Sequence, residues 1–524
     1  MKELVYPRVL LPAMENHAGK LAVFDGDYEN TMAGHGDRVL RLGHAMSNQL
    51  GLEPGDRFAV MALNSHEFLE LYHAGFLGAG VITPLNLRLA GAELLHIVRD
   101  SGSRVVFVDA MFAEHLDRAL AEAGGDLDLE HVVLIGDAGA GYPHDIAYED
   151  LLAAGEPVVP AEPEEEDPVV LMYTGGTTGL PKGVVLDQRS EMLNLYHAGI
   201  VLGLPEHAVY LHQTPMFHAA SMTGVLGIPA VGGTSVFLPM FEPGAVLDLI
   251  EARAVTQTVM VPTMIRSLLD HPAYRPERLA SLHVLTYGAS PMSAALLTRM
   301  LDELPWVEMS QGYGMTECSA VLTILTDEDH RRGGDLLRSA GRPVLGVRLS
   351  IQDPAGQILP TGEVGEVCAR GGNLMREYWN NPVATDEAFR HGWYHTGDEG
   401  RIDAEGYLYL VDRLKDMIVT GGENVYSIEV ENALVSHPCV NEVAVIGIPD
   451  ERWGEAVHAI VVLNIGMTVT VEGLRAWSRD RIAGYKVPKS IELRTEPLPL
   501  SGALKPLKRL LRAPYWAGHE RAVQ

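Results

Sequence analysis

Apolar residues recur at helical spacing from Val39 to Leu50, a turn follows at Glu53-Pro54-Gly55-Asp56, and a short apolar run from Phe58 to Leu63 reads as a strand. The alternation repeats: helix-like Glu67 to Leu77 leads to a strand at Val81-Ile82, and helix-like Ala92 to Arg99 leads to a strand over Val105 to Val108. Short apolar strands alternating with amphipathic helices predict wound α/β layers on parallel sheets. A Pro- and Glu-rich stretch from Gly155 to Asp167 reads as a solvated linker before the apolar strand Val169 to Tyr173. Strand-like Tyr407 to Val411 then gives way to Gly- and charge-rich sequence near Asp412 to Asp416. Beyond it about a hundred residues remain, enough for a small domain, so the boundary is placed at Arg413 to Lys415.

Length supports this division, because 524 residues exceed what one hydrophobic core ordinarily serves. The apolar fraction of 47% and charged fraction of 21% are those of an ordinary globular protein. A formal charge of -29 disfavours nonspecific binding to nucleic acid and to anionic membranes, so an anionic substrate must be met by locally placed cations. Cys318, Cys368 and Cys439 are far apart and lack C-x-x-C spacing, which implies neither a disulfide framework nor a zinc site and suits a reducing cytoplasm. The first twenty residues carry no continuous apolar region of the kind a secretory signal needs. The longest stretch without Asp, Glu, Lys or Arg, His207 to Phe241, is broken by Pro215, Pro229, Pro239 and Gly232-Gly233. It reads as buried strand and loop around a pocket, not as a membrane span.

The strongest chemical signal is Tyr173-Thr174-Gly175-Gly176-Thr177-Thr178-Gly179-Leu180-Pro181-Lys182-Gly183, directly after an apolar strand. Small residues let backbone N–H groups approach a polyphosphate, the threonines add hydroxyl donors, and Lys182 supplies a cation. The Walker A order fails, since Pro181 precedes the lysine and Gly183-Val184 follows it. The string resembles the phosphate loop of the adenylate-forming superfamily, which includes acyl-CoA synthetases, luciferases and peptide-synthetase adenylation domains. The family's commonest form has serine where Gly175 stands.

Further motifs follow in that family's order. Pro215-Met216-Phe217-His218 resembles the segment whose histidine borders the acid pocket, followed here by Ala219 and Ala220. Tyr287-Gly288-Ala289-Ser290-Pro291 is similar to the loop lying along adenine and the acid. In Gln311-Gly312-Tyr313-Gly314-Met315-Thr316-Glu317, the resemblance implies that Tyr313 stacks on adenine, Thr316 donates to the α-phosphate and Glu317 holds Mg²⁺. Asp398, in Gly392-Trp393-Tyr394-His395-Thr396-Gly397-Asp398, resembles the aspartate that accepts from both ribose hydroxyls, and Arg413 the second ribose contact. Lys415 falls at the family's hinge, Gly421-Gly422 resembles the loop near the phosphopantetheine arm, and Lys505 the catalytic lysine. Leu504 stands where glycine usually precedes that lysine, and a basic surface helix with Lys508, Arg509 and Arg512 is the competing reading.

The resemblance implies an α/β protein with a large N-terminal domain of wound layers (1–412), a hinge (413–415) and a small mobile α+β C-terminal domain (416–524). It implies an ATP-dependent acyl-CoA synthetase that uses Mg²⁺ and coenzyme A and joins a small-molecule carboxylic acid to the thiol through an acyl-adenylate. A homodimer fits this class; a nucleic-acid partner or an integral membrane segment does not. His218 stands where amino-acid-adenylating domains usually carry aspartate, and small Ala219 and Ala220 leave room for a bulky acid. A medium- or long-chain fatty acid is the favoured substrate, with an aryl or cinnamate-like acid as the alternative. An adenylating enzyme with another acceptor and a noncatalytic relative are the remaining readings.

Overall fold

The computed structural model describes residues 3–122, 127–136, 145–174, 181–289, 292, 294–413, 416–420, 423–450, 453–500 and 506–517. Its first helix-and-strand units follow the hydrophobic pattern. Met32–Leu50 is a helix because Thr31 caps it through Gly34 N–H, Gly51 ends it at φ 62°, and Val39, Leu42, Ala45 and Met46 share its buried side. Arg57–Met61 and Ser103–Asp109 are the expected strands, and Gly91–Ser101 the expected helix. The helix expected over Glu67 to Leu77 ends at Ala74 and continues as a π-turn, Gly75–Ala79, in which Gly78 takes φ 109°. A positive φ there is open to glycine, and it lets the chain turn into the strand Val81–Pro84.

Two large sheets form the scaffold. In the nine-stranded sheet, strands from Leu21–Asp25 through Thr234–Phe237, Val209–His212, Gln257–Met260 and Val284–Gly288 to Glu308–Tyr313 run parallel. In the eight-stranded sheet, Pro168–Thr174 lies parallel to Val81–Pro84, and antiparallel Lys182–Asp187 extends it. The expected parallel scaffold therefore holds at the centre of each sheet, while both edges of the nine-stranded sheet and one edge of the eight-stranded sheet are antiparallel. A four-stranded antiparallel sheet over 348–413 carries Tyr394–Ile402 beside Leu408–Arg413. The C-terminal sheet pairs Val440–Asp450 with Gly454–Leu463 and packs against the helix Ser427–Val435.

The main core runs from Tyr6 to Tyr394 and includes Leu42, Phe58, Phe76, Phe107, Met216 and Cys318. The 155–167 stretch has little regular structure but is pinned: Glu165 Oε1 accepts from Glu3 and Leu4 N–H, and Arg8 pairs with Glu162. The 207–241 region is buried strand and turn, as expected. Among the described residues, no helix is long and apolar enough to cross a membrane.

Candidate functional site

Parallel strands leave their C-terminal ends on one side, and chemistry in such sheets gathers there. Gly288 and Gly312 are register partners at the ends of adjacent strands, as are Tyr287 and Gln311. A Cβ on Gly288 would collide with Gly312 O, and one on Gly314 with Ala320 O, so glycine is a steric requirement at both places. Just beyond, Ala289 takes φ 64°, Ser319 φ 50° and Ala320 φ 87°. Such conformations cost about 1–3 kcal/mol each, and the cluster brackets the 3-10 turn Thr316–Cys318 that carries Thr316 and Glu317. Met315 is held against this turn by the Tyr394 hydroxyl, 3.2 Å from its Sδ.

A hydrogen bond joins the two halves of the candidate nucleotide site. Tyr313 donates its hydroxyl to Asp398 Oδ2 at 2.8 Å. Burial, and then the Asp398 charge, push the Tyr313 phenol well up, so the proton stays on the tyrosine. Asp398 also faces Arg413 across the strand pair Tyr394–Ile402 and Leu408–Arg413; of Arg413 the structure describes the backbone only. The strand before Asp398 is fixed by Glu366, whose Oε2 meets His395 Nδ1 at 2.8 Å and Arg390 at 2.6 Å and whose Oε1 accepts from Gly397 N–H. Cys368 lies against the same imidazole, but burial raises its thiol, and the Arg390 guanidinium on Glu366 opposes a cation there.

The third part is the hairpin between Pro168–Thr174 and Lys182–Asp187, in which Thr174 and Lys182 are paired at the mouth. Its loop residues Gly175, Gly176, Thr177 and Thr178 lie outside the described residues, as do Ser290, Lys415, Gly421, Gly422 and Lys505. The strand Glu377–Tyr378 lies on the hairpin, with Tyr378 beside Val184. Tyr378 donates to Glu317 Oε1 at 2.9 Å, while Lys182 Nζ sits 5.1 Å from the centre of its ring. Glu317 is therefore brought to the mouth of this hairpin by a tyrosine that no motif marks. A half-buried carboxylate oriented in this way is a hard oxygen donor of the kind Mg²⁺ takes, so the residues fit the expected ion.

His218 stands at the start of a short 3-10 turn, Ala219–Ser221, and its Nδ1 accepts from Ala220 N–H. That bond puts the proton of the neutral ring on Nε2. The turn is anchored from the first α/β unit. Asn64 accepts from Met216 N–H at 2.8 Å and donates to His212, Thr214 and Leu238 carbonyls, and Tyr72 donates to Met216 O at 2.7 Å. In the sequence Asn64 is only the first of an Asn64-Ser65 pair, and Tyr72, Tyr378 and Glu366 carry no signal, because each acts on a residue remote along the chain.

Comparison with known proteins agrees with this geometry. The family described as AMP-binding enzyme matches residues 12–379, and the AMP-binding enzyme C-terminal domain matches 429–505. The chain is 39% identical to a feruloyl-CoA synthase of Amycolatopsis over 95% of its length and 96% of that protein. It is 35% identical to the medium/long-chain-fatty-acid–CoA ligase FadD8 of Mycobacterium tuberculosis over 98% of its length and 91% of that protein. Among solved structures, ATP-bound MatB from Rhodopseudomonas palustris superposes with a TM-score of 0.88 at 28% identity, covering 99% of this chain and all of that one. With motifs, fold and relatives in accord, the chain belongs to the AMP-binding enzyme family, in its adenylate-forming acyl-CoA synthetase branch.

Proposed function

We propose that this acyl-CoA synthetase activates a bulky hydrophobic carboxylic acid, and that the residues gathered around Tyr313, Glu317 and Asp398 carry the nucleotide through both steps. A carboxylate resists attack by a thiol, so it is activated first. An acid oxygen attacks the α-phosphorus of ATP and pyrophosphate leaves; the CoA thiol then attacks the acyl carbon of the mixed anhydride, forming the thioester as AMP leaves. Charge neutralisation and positioning dominate such chemistry.

Thr174, Gly175, Gly176, Thr177, Thr178 and Lys182 cradle the polyphosphate, Gly288, Ala289 and Ser290 lie along adenine and acid, and Tyr313 stacks on the base. Asp398 and Arg413 hold the ribose, Thr316 donates to the α-phosphate, and His218 borders the carboxylate. Glu317 would hold Mg²⁺, which neutralises polyphosphate charge when bound. Lys505 bridges carboxylate and α-phosphate, Lys415 is the pivot between a domain at 1–412 and one at 416–524, and Gly421-Gly422 lines the thiol path. The observation that carries this assignment is the meeting of Glu317 with Tyr378 beside Lys182, which puts a carboxylate and a cation at one hairpin mouth.

Small Ala219 and Ala220 support a medium- or long-chain fatty acid. An aryl acid is the second reading, favoured by the stacked Phe68 and Tyr72 rings, 5.1 Å apart, behind the Met216 carbonyl. Both classes have a relative: the feruloyl-CoA synthase and FadD8. The test is to incubate the protein with Mg·ATP, CoA and a panel of fatty, aryl and amino acids, and to follow AMP and acyl-CoA by mass spectrometry. AMP with acyl-CoA from a fatty or aryl acid is expected; products from amino acids alone, or none from any acid, would overturn the proposal.

A further inference from the structure

The helix Gly91–Ser101 is mounted firmly on the eight-stranded sheet. Leu94, Ile97 and Val98 share one core cluster with Val106 and Val108 of the strand beneath, Glu93 accepts from Ala90 N–H at the helix start, and Gly102 closes its end at φ 59°. His96 and Asp100, both half-buried, stand one turn apart at i and i+4 and so share a face. Neither belongs to a motif of the candidate site, yet both reach the hairpin between Pro168–Thr174 and Lys182–Asp187.

They take hold of it at opposite ends of its loop. The Tyr173 hydroxyl, on the strand leading into the loop, donates to Asp100 Oδ2 at 2.6 Å. Burial, and then the Asp100 carboxylate, raise the Tyr173 phenol, so the proton stays on the tyrosine. Where the chain leaves the loop, Pro181 O lies 3.3 Å from His96 Nε2; a carbonyl only accepts, so the imidazole carries its proton on that nitrogen. The backbone carbonyl of Asp100 adds a third hold, accepting from Trp379 Nε1 at 2.8 Å and from Asn380 Nδ2 at 3.3 Å. Trp379 N–H in turn donates to Gly183 O at 2.7 Å, and Trp379 directly follows Tyr378, the donor to Glu317. A Cβ on Gly183 would press on both Trp379 and Tyr173, so the glycine lets the two residues pack at that point. One helix end therefore fixes the loop's entry, its exit and the segment that orients Glu317. A glycine-rich loop has much conformational freedom to lose when it closes on a ligand, and fixed ends reduce that loss.

We propose that Asp100 and His96 are positioning residues for the polyphosphate of ATP, holding the two ends of the glycine-rich loop in one arrangement before the nucleotide arrives. This rests on the synthetase reading above and adds two residues outside its motifs. Each acts through the loop and not on the nucleotide itself. The loop is assigned to the polyphosphate, so AMP should not feel the hold.

The experiment measures binding of the nonhydrolysable Mg·α,β-methylene-ATP and of AMP by isothermal titration calorimetry. Wild type, Asp100→Leu, Asp100→Asn, His96→Leu, His96→Gln and Tyr173→Phe are compared, with thermal melts to confirm folding. Asp100→Leu, His96→Leu and Tyr173→Phe should each weaken the triphosphate about three- to tenfold, the scale of one lost hydrogen bond, and leave AMP within about twofold. Asp100→Leu combined with Tyr173→Phe should do no more than either alone, since both remove the same bond, whereas Asp100→Leu combined with His96→Leu should multiply the losses. Asparagine keeps an acceptor and glutamine a donor, so Asp100→Asn and His96→Gln should retain most of the affinity. General damage to the fold would weaken both nucleotides together and would not be rescued in this way. Equal weakening of AMP and triphosphate, or an unchanged triphosphate affinity in the leucine variants that fold, would overturn the inference; where neither folds, Tyr173→Phe decides it. No binding of either nucleotide by wild type would remove the synthetase reading itself, and the inference with it.

Discussion

Buried polar groups behave differently in two neighbouring regions of this protein. Around the nucleotide motifs most are paired: Tyr313 with Asp398, Tyr378 with Glu317, Glu366 with His395 and Arg390, and the amide nitrogen of Asn373 with the carbonyls of Cys318 and Val321, while Ser319 Oγ and Asn373 Oδ1 have no partner among the described residues. Along the helix Gln188–Leu202, Glu191 and Asn194 are equally buried and their polar side-chain atoms have no hydrogen-bond partner among the described residues. Pairing fixes the direction of a buried polar group before any ligand arrives, whereas a buried polar atom without a partner costs about 1–3 kcal/mol.

Changes on the nucleotide side should act alike on every acid, whereas filling the unpaired Glu191 or Asn194 position with leucine should act on folding stability. The largest effect is expected from Glu317→Ala or Lys505→Ala, which should lower AMP formation about a hundredfold or more for fatty and aryl acids alike. Single-turnover kinetics with one acid of each class would check this, and a loss confined to one class would break the comparison. Lys415→Pro should come next, slowing thioester formation more than adenylate formation, because proline restricts the backbone change a pivot needs. Equal loss of both half-reactions, measured separately, would count against a hinge at that position.

Tyr313→Phe removes the donor to Asp398 and should raise the KM for ATP by about tenfold, the scale of one hydrogen bond to a charged group. Measured with two unlike acids, the ratio should be the same. The smallest effect concerns pH and neither site directly. Burial lowers His73 to about 4 and His212 to about 3, and holds His35 well below its ordinary value. The unfolded chain takes up these protons from about pH 6.5 downward while the folded one does not, so stability should fall as pH drops from about 6.5 toward 4. Thermal melts across that range read it, and leucine in place of His212 should flatten the slope.

The scaffold's helices and strands are legible from about residue 39 to residue 108, where Met32–Leu50 has a one-sided hydrophobic pattern and Ser103–Asp109 a continuous apolar run. The helix Gln188–Leu202 was not, because it is buried on several sides and carries Glu191, Asn194 and His197 inside. The candidate site was legible as an order of motifs. That order did not say that Tyr313 would face Asp398, or that Asn64 would pin Met216.

By itself the sequence determined the groups that chemistry cannot replace and the glycines that geometry cannot fill. Gly288 beside Gly312 is an example: a close backbone approach admits no side chain, so the residue type is written into the chain wherever that approach is needed. Only the tertiary structure decided which buried polar groups are satisfied. Tyr378 reaches Glu317 across 61 residues and Met216 reaches Asn64 across 152, whereas the Glu191 oxygens have no hydrogen-bond partner among the described residues. Hydrogen bonds act over about 3 Å, and folding, not chain order, sets which atoms come that close.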